Sequence, residues 1–267
     1  MSGTGGVSMA LGTALADFAR ALIDARCTGV AVPADHPATR GMTEADAYAV
    51  QARVAEALGP VGGFKVACKP GQPQIMAPIL ARDTHNSPAR LACPAEEQIG
   101  IELEIGFRVL SELPPPDAPD RDARLAGCLA LVPAIEIVRT RLSGTPSPLA
   151  KLADNQVNGA LVVGPETRDW YGRDLSGASG HLRAGDTVLL EGRGEVPGGD
   201  AFANFKALEA MLGTRFGGLV PGQVVITGSL SGLSYIAPGC EIRGALDGWG
   251  KVALDLDREE ARRSPRP

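Results

Sequence analysis

Aromatic residues are scarce in this chain, at 4% of 267 residues, so its core must be assembled from Ala, Val, Leu and Ile, which the 44% hydrophobic content supplies. Basic runs are also missing, and with a formal net charge of −5 there is no cationic stripe of the kind phosphate backbones require. Nucleic acid is therefore not an expected partner. No stretch approaches the ~18 uninterrupted apolar residues of a membrane-spanning helix. The opening MSGTGGVSM has neither the basic region nor the apolar core of a secretory signal, so a soluble, cytoplasmic protein is expected. The five cysteines (Cys27, Cys68, Cys93, Cys128, Cys240) are odd in number and never form a CxxC pair, which argues against a disulfide scaffold and a structural zinc site. Neither GxGxxG nor GxxxxGK[ST] lies between a strand and a helix, so a Rossmann or P-loop nucleotide site has no support. What remains is a small-molecule partner.

What is present begins with helices. Leu11, Leu15, Phe18, Leu22 and Ile23 recur at helical spacing from about residue 9 to residue 25, with Gly29 as a stop. A second helix begins at Thr43, where T-E-A-D resembles a capping box with Asp in place of Glu, and runs to the breaker pair Gly59-Pro60. From Gly62 onward short β-branched runs alternate with Gly and Pro, the texture of sheets joined by turns. The spacing predicts a helical region over 1–61, a β-rich body over 62–257 and a charged, fraying tail over 258–267. Within the body, 99–110 alternates cleanly, with Ile101, Leu103, Ile105 and Phe107 on one face and Glu102, Glu104, Gly106 and Arg108 on the other. Consecutive prolines make 112–120 a connector. A short helix is expected around 122–129, strands at 129–138, 161–163, 187–190, 224–227 and 252–256, and a late helix carrying Phe202, Phe205, Leu208, Met211 and Leu212 behind an Asp200 N-cap.

Glu102 and Glu104, two apart on a strand, send both carboxylates from one face, close enough to grip one cation, although a solvated strand face carries the same pattern. Glu136 is more telling. It interrupts the apolar run from Leu131 to Val138, where an unpaired carboxylate is expensive to bury. Either Arg139 or Arg141 supplies a structural counter-ion, or three carboxylates surround a hard divalent metal, for which oxygen-only ligands favour Mg²⁺ or Mn²⁺ over zinc.

Five motifs then stand in a familiar order: G-F-K at Gly63 to Lys65, I-E-L-E-I at Ile101 to Ile105, P-A-I-E-I-V at Pro133 to Val138, A-D-N-x-x-x-G at Ala153 to Gly159, and T-G-S-L-x-G at Thr227 to Gly232. Together with T-E-A-D-A-Y-A-V-Q at Thr43 to Gln51, they resemble the 2-keto-4-pentenoate hydratase, 2-oxohept-3-enedioate hydratase and 4-oxalocrotonate decarboxylase branch of the fumarylacetoacetate hydrolase superfamily, over about residues 10 to 256. The resemblance implies an α+β fold, a fumarylacetoacetase C-terminal-like β-roll behind a helical lead, a homo-oligomer, and a role in breaking down aromatic-derived compounds. It implies Glu102, Glu104 and Glu136 as ligands of Mg²⁺ or Mn²⁺, with Lys65 reaching a small 2-oxo or enolic acid. A metal chelated by such a substrate stabilises its enolate and opens a remote carbon to water or a proton.

Without the resemblance, Lys65 would be read as a solvated surface residue, as most lysines are. Asp83, where relatives carry an acid before the metal strand, is a candidate for proton transfer or for orienting Lys65, or a turn-capping loop residue. Thr227, Gly228 and Ser229 offer hydroxyls and backbone N–H groups to a substrate carboxylate, or form an ordinary turn. Asp154 and Asn155 either support the site from behind or cap their own segment. His36, His85 and His181 match no family motif and are read as structural or exposed. The expected reaction is hydration of a 2-hydroxy-2,4-dienoate, through its 2-oxo-3-enoate tautomer, to a 4-hydroxy-2-oxo acid. Its rivals are decarboxylation of a 2-oxo-3-enedioate, cleavage of an acylpyruvate by a Glu-His pair in which only His36 is placed to serve, and a binding module without turnover. Two segments depart from the family, V-A-C-K-P-G-Q-P-Q after Lys65 and P-G-G-D-A-F-A-N from Pro197 to Asn204, so the substrate walls are expected to differ while the metal core is retained.

Overall fold

The computed structural model describes residues 12–259; Leu11 of the first expected helix and residues 260–267 of the expected tail lie outside it. In chain order the elements are α1 (Thr13–Thr28), β1 (Val32–Pro33), α2 (Glu44–Leu58), β2 (Val61–Ala67), β3 (Ile75–Leu80), β4 (Thr84–Asn86), β5 (Ala89–Pro94), β6 (Ile99–Val109), α3 (Arg121–Gly127) and β7 (Leu129–Val138). There follow β8 (Leu142–Ser143), α4 (Pro148–Ala153), β9 (Asn158–Val163), β10 (Gly177–Ala184), β11 (Thr187–Glu195), α5 (Ala201–Leu212), β12 (Val224–Ser229), β13 (Ser234–Ile236), β14 (Cys240–Leu246) and β15 (Gly250–Glu259). The class is the expected α+β, with few helices and several sheets. No helix among the described residues is long and apolar enough to cross a membrane.

The chain divides into two compact units, one of residues up to Leu58 together with Thr140–Gln156, the other of Gly59–Arg139 and everything from Val157 onward. The helical unit is thus larger than the lead anticipated from sequence, because β8 and α4 belong to it. Short 140–156 elements carry no periodicity that announces where they pack. In α1 the buried residues are Phe18, Ala19, Leu22 and Ala25, one stripe at helical spacing, while Leu15 and Ile23 are half-buried. The helix stops at Gly29, whose φ of 74° suits glycine. The capping box of α2 is formed: Asp46 Oδ2 accepts the Thr43 N–H at 2.9 Å, and Thr43 Oγ1 accepts the Asp46 N–H at 3.2 Å. β1 and β8 pair in parallel in the same unit, and Arg141 is held there by Asp154, Nε to Oδ1 at 2.6 Å.

The second unit contains two larger sheets. An eight-stranded sheet runs β3-β2-β12-β6-β7-β9-β4, with β13 also on β6, and a five-stranded sheet runs β11-β10-β14-β15-β5. The continuous apolar run from Leu129 becomes β7, central in its sheet and buried at all ten positions, as a strand covered on both faces must be. On β6 the alternation resolves into two environments. Ile101, Leu103, Ile105 and Phe107 are fully buried, and Phe107 meets Trp170, Phe202 and Phe205 with ring centroids 4.9 to 6.1 Å apart. Much of the small aromatic complement is therefore spent on one cluster that fastens α5 to the sheet. Asp200 caps α5 as expected, its Oδ1 accepting the Ala203 N–H at 2.7 Å. The last strand continues to Glu259, so Arg258 and Glu259, expected in the tail, belong to the sheet.

Candidate metal centre

Register assembles the site from four strands. Directly opposite residues in a sheet project to the same face, and Glu102 of β6 stands opposite Glu136 of β7, with Glu104 opposite Ala134. On the other side of β6, Ile226 of β12 is paired both with Gly106 and with Lys65 of β2, so Lys65 shares the face of the glutamates although two strands separate β2 from β7. The G-F-K motif has its reason here. A Cβ on Gly63 would lie 2.0 Å from Val224 O, so only glycine lets β2 lie against β12 and bring Lys65 into reach. The same face carries the packed side chains of Ile79, Val132, Ala134, Leu161, Val163, Val224 and Ile226, which makes the surroundings of the carboxylates largely apolar.

Glu102, Glu104 and Glu136 each place a carboxylate oxygen within 4.8 Å of the others. Glu136 is 0% and Glu104 3% exposed, while Glu102 is half-buried. Lys65 Nζ spans Glu136, donating to Oε1 at 2.6 Å and to Oε2 at 2.7 Å, and Asn158 Nδ2 donates to Oε1 at 2.8 Å. Glu104 Oε2 accepts the Gly228 N–H at 2.6 Å. Burial pushes the Glu104 carboxyl well above the usual carboxylate range, and Glu136 and Glu102 push it further, against the pull of Lys65 and the Gly228 amide. Burial raises Glu102 as well, aided by Glu136 and opposed by Lys65, the Ser229 hydroxyl and Lys69. For Lys65, burial acts to lower the pKa, but the charges of Glu136, Glu102 and Glu104 and the hydrogen bond to Glu136 outweigh it, so the ammonium is held above its ordinary value.

The counter-ion of Glu136 is therefore Lys65. Arg139, one of the two alternatives raised from sequence, bonds Glu97 at 2.6 Å, and Arg141, the other, bonds Asp154. The remaining candidates divide. Thr227 Oγ1 donates to Ile105 O at 2.7 Å from a fully buried position, and the Gly228 amide serves Glu104, so both groups support the strands and the acids. Ser229 Oγ lies 3.4 Å from Ser231 Oγ and faces Glu102, while Ser231 Oγ accepts the Leu103 N–H at 3.1 Å. Asp83 ends a short 3₁₀ turn, 3.8 Å from Arg82 Nε, and is not one of the three clustered acids. Asp154 and Asn155 belong to the helical unit, where the Asp154 carboxylate also accepts the Arg141 N–H at 2.9 Å. His36 caps the turn at Pro37–Thr39, its Nδ1 accepting the Ala38 N–H at 3.2 Å, with its ring 5.0 Å from Phe18. Asn158 and Ser231 went unnoticed in the sequence. An Asn before Gly reads as a turn residue, and only the strand register turns it toward Glu136.

The donor set fits a hard divalent cation. Its ligand atoms are carboxylate oxygens with no thiolate or imidazole among them, and one ammonium against three carboxylates leaves excess negative charge in a poorly solvated place. The departing segment Pro197 to Asn204 reaches the edge of this place, because Asn204 Nδ2 donates to both Pro197 O at 2.7 Å and Thr227 O at 2.9 Å.

No protein-family model matches the chain. Among solved structures it is similar to 4-oxalocrotonate decarboxylase from Pseudomonas putida G7, at 19% identity over 94% of this chain and 100% of that one. The TM-score is 0.78 for the complex with magnesium and adipate and 0.77 for that with calcium and acetate. It is also similar to fumarylpyruvate hydrolase from Pseudomonas aeruginosa in complex with Mn²⁺ and pyruvate, at 15% identity over 73% of this chain and 89% of that one, with a TM-score of 0.50. The chain has the fold of these enzymes.

Proposed function

We propose that this chain is a divalent-metal-dependent lyase of the hydratase and decarboxylase branch of the fumarylacetoacetate hydrolase superfamily, acting on a short 2-oxo acid through its enolate. One observation carries the reading: three carboxylates converge with a half-buried lysine on one sheet face, in a fold shared along nearly the whole chain with a decarboxylase. Glu102, Glu104 and Glu136 would hold Mg²⁺ or Mn²⁺. When bound, such an ion supplies Lewis-acid stabilisation of the charge that develops on a substrate oxygen.

The protein's own groups supply the rest. Lys65, kept protonated by its acidic neighbours, is the proton donor or the hydrogen-bond donor to the enolate oxygen. Ser229, beside Glu102, is available to orient a substrate carboxylate. In the hydration reading, a 2-hydroxy-2,4-dienoate shifts to its 2-oxo-3-enoate tautomer, water adds its oxygen at C4, and a proton is delivered to C3. In the second reading, favoured by the full-length similarity to 4-oxalocrotonate decarboxylase, a 2-oxo-3-enedioate loses its distal carboxylate as carbon dioxide. The bonding pair passes into the dienolate, which a proton then quenches. The same reading carries assembly into a homo-oligomer, which sedimentation as a monomer at micromolar concentration would remove.

The test is to incubate Mg²⁺-loaded protein with 2-hydroxypenta-2,4-dienoate and with 2-oxohex-3-enedioate, following ultraviolet absorbance and released carbon dioxide. Loss of the dienoate without gas supports hydration, and stoichiometric gas from the enedioate supports decarboxylation. Silence on both, or undiminished turnover after rigorous chelation, refutes the proposal.

A further inference from the structure

We infer that Asn158 is a positioning residue that fixes the Glu136 carboxylate for cation binding; the inference rests on the metal reading above. Strand β9 pairs with β7 so that Leu161 stands opposite Glu136 and Ala160 opposite Ile137, after which the register slips and Asn158, not Gly159, stands opposite Val138. Val138 lies two residues from Glu136 on the same strand, so the slip turns Asn158 onto the face of the site. The residue skipped has no room for a side chain: a Cβ on Gly159 would lie 2.7 Å from Arg139 Cβ and 2.9 Å from Ile137 O.

The approach to β9 is also unusual. Asn155, Gln156 and Val157 have φ values of 51°, 49° and 54°, three successive left-handed residues ending in a β-branched one. Such a path persists only where its surroundings enforce it, and it delivers a 2%-exposed amide whose Nδ2 is 2.8 Å from Glu136 Oε1. A neutral donor suits this position. It satisfies one oxygen of Glu136 without adding a second positive charge to compete with a metal. Lys65 bridges both oxygens, so any movement of its ammonium toward substrate leaves the amide as the contact that keeps the carboxylate oriented.

The experiment uses Asn158→Ala, which removes the donor, and Asn158→Leu, which removes it while keeping side-chain bulk, so that misfolding of one leaves the other to decide. Metal-free wild type and variants are titrated with Mn²⁺ by calorimetry, and melting temperatures are recorded with and without the ion. The expected result is a ~10- to 100-fold loss of Mn²⁺ affinity and a smaller Mn²⁺-induced rise in melting temperature, whatever the change in the metal-free melt. Wild-type Mn²⁺ affinity with a lowered metal-free melting temperature would reduce Asn158 to a packing role and overturn the inference. Failure of the wild type itself to bind Mn²⁺ would remove the metal reading and this inference together, a result distinct from the first.

Discussion

Lys65→Met keeps much of the side chain's apolar stem and deletes its charge, leaving three clustered carboxylates to face one another. With Nζ 2.6 Å from Glu136 Oε1, Coulomb's law at an effective dielectric near 20 gives ~6 kcal/mol of attraction. Carboxylate oxygens within 4.8 Å of each other repel by ~3.5 kcal/mol or more per ionised pair on the same scale. Removing the ammonium also removes its own desolvation cost, several kcal/mol, so the net loss in metal-free protein at pH 8 should be ~3 to 5 kcal/mol. For a chain of this size that corresponds to a melting temperature lower by roughly 6 to 20 °C. Two conditions should reverse it. Lowering the pH toward the ordinary carboxylate range protonates the acids whose pKa values are raised and narrows the gap to wild type, and Mn²⁺ replaces the missing positive charge and should bind the variant at least as tightly as wild type. The assay is differential scanning calorimetry of chelated and Mn²⁺-loaded protein at the two pH values. A Lys65→Met melt equal to wild type at pH 8 without metal would show that the acids are not electrostatically dependent on Lys65, and the account of the site would fall.

Glu136→Gln removes a ligand and the main partner of Lys65 together while relieving repulsion on Glu102 and Glu104. These terms oppose each other, so metal-free stability should move by only ~1 to 2 kcal/mol while Mn²⁺ affinity falls at least ~100-fold, or ~2.7 kcal/mol; calorimetric affinity equal to wild type would exclude Glu136 as a ligand. The raised Glu104 and Glu102 carboxyls set the sign of the pH dependence. Their contribution to metal-free stability is fully present below the ordinary carboxylate range and is lost as pH rises through their elevated values, whereas Mn²⁺ binding requires deprotonation and must tighten over that same rise. Comparison with Glu104→Gln across pH 4 to 8 isolates the effect, and Mn²⁺ affinity independent of pH in wild type would contradict it. Thr227→Val, nearly isosteric, withdraws the hydroxyl from Ile105 O inside the sheet and should cost ~1 to 3 kcal/mol on thermal unfolding; an unchanged melt would mean that bond does not secure β12 to β6.

Sequence by itself determined much of the local structure. Reciprocal hydrogen bonds at Thr43 and Asp46, the two faces of β6 and the buried run of β7 depend on neighbours a few residues apart, and such patterns survive in any tertiary setting. The chemistry of a candidate site was also legible, because a carboxylate at Glu136 inside an apolar run demands a cation wherever the strand lies. Tertiary structure alone decided which cation that is. Period-two alternation says which way a side chain points but not which strands become neighbours, so the choice of Lys65 over Arg139 and Arg141 came from β12 standing between β2 and β6. A single slip in the β7 and β9 register put Asn158 beside Glu136. Thr227 and Gly228, which the sequence left open between substrate contact and an ordinary turn, bond Ile105 O and Glu104, since a buried carbonyl and a buried acid must find donors within the protein before any ligand arrives.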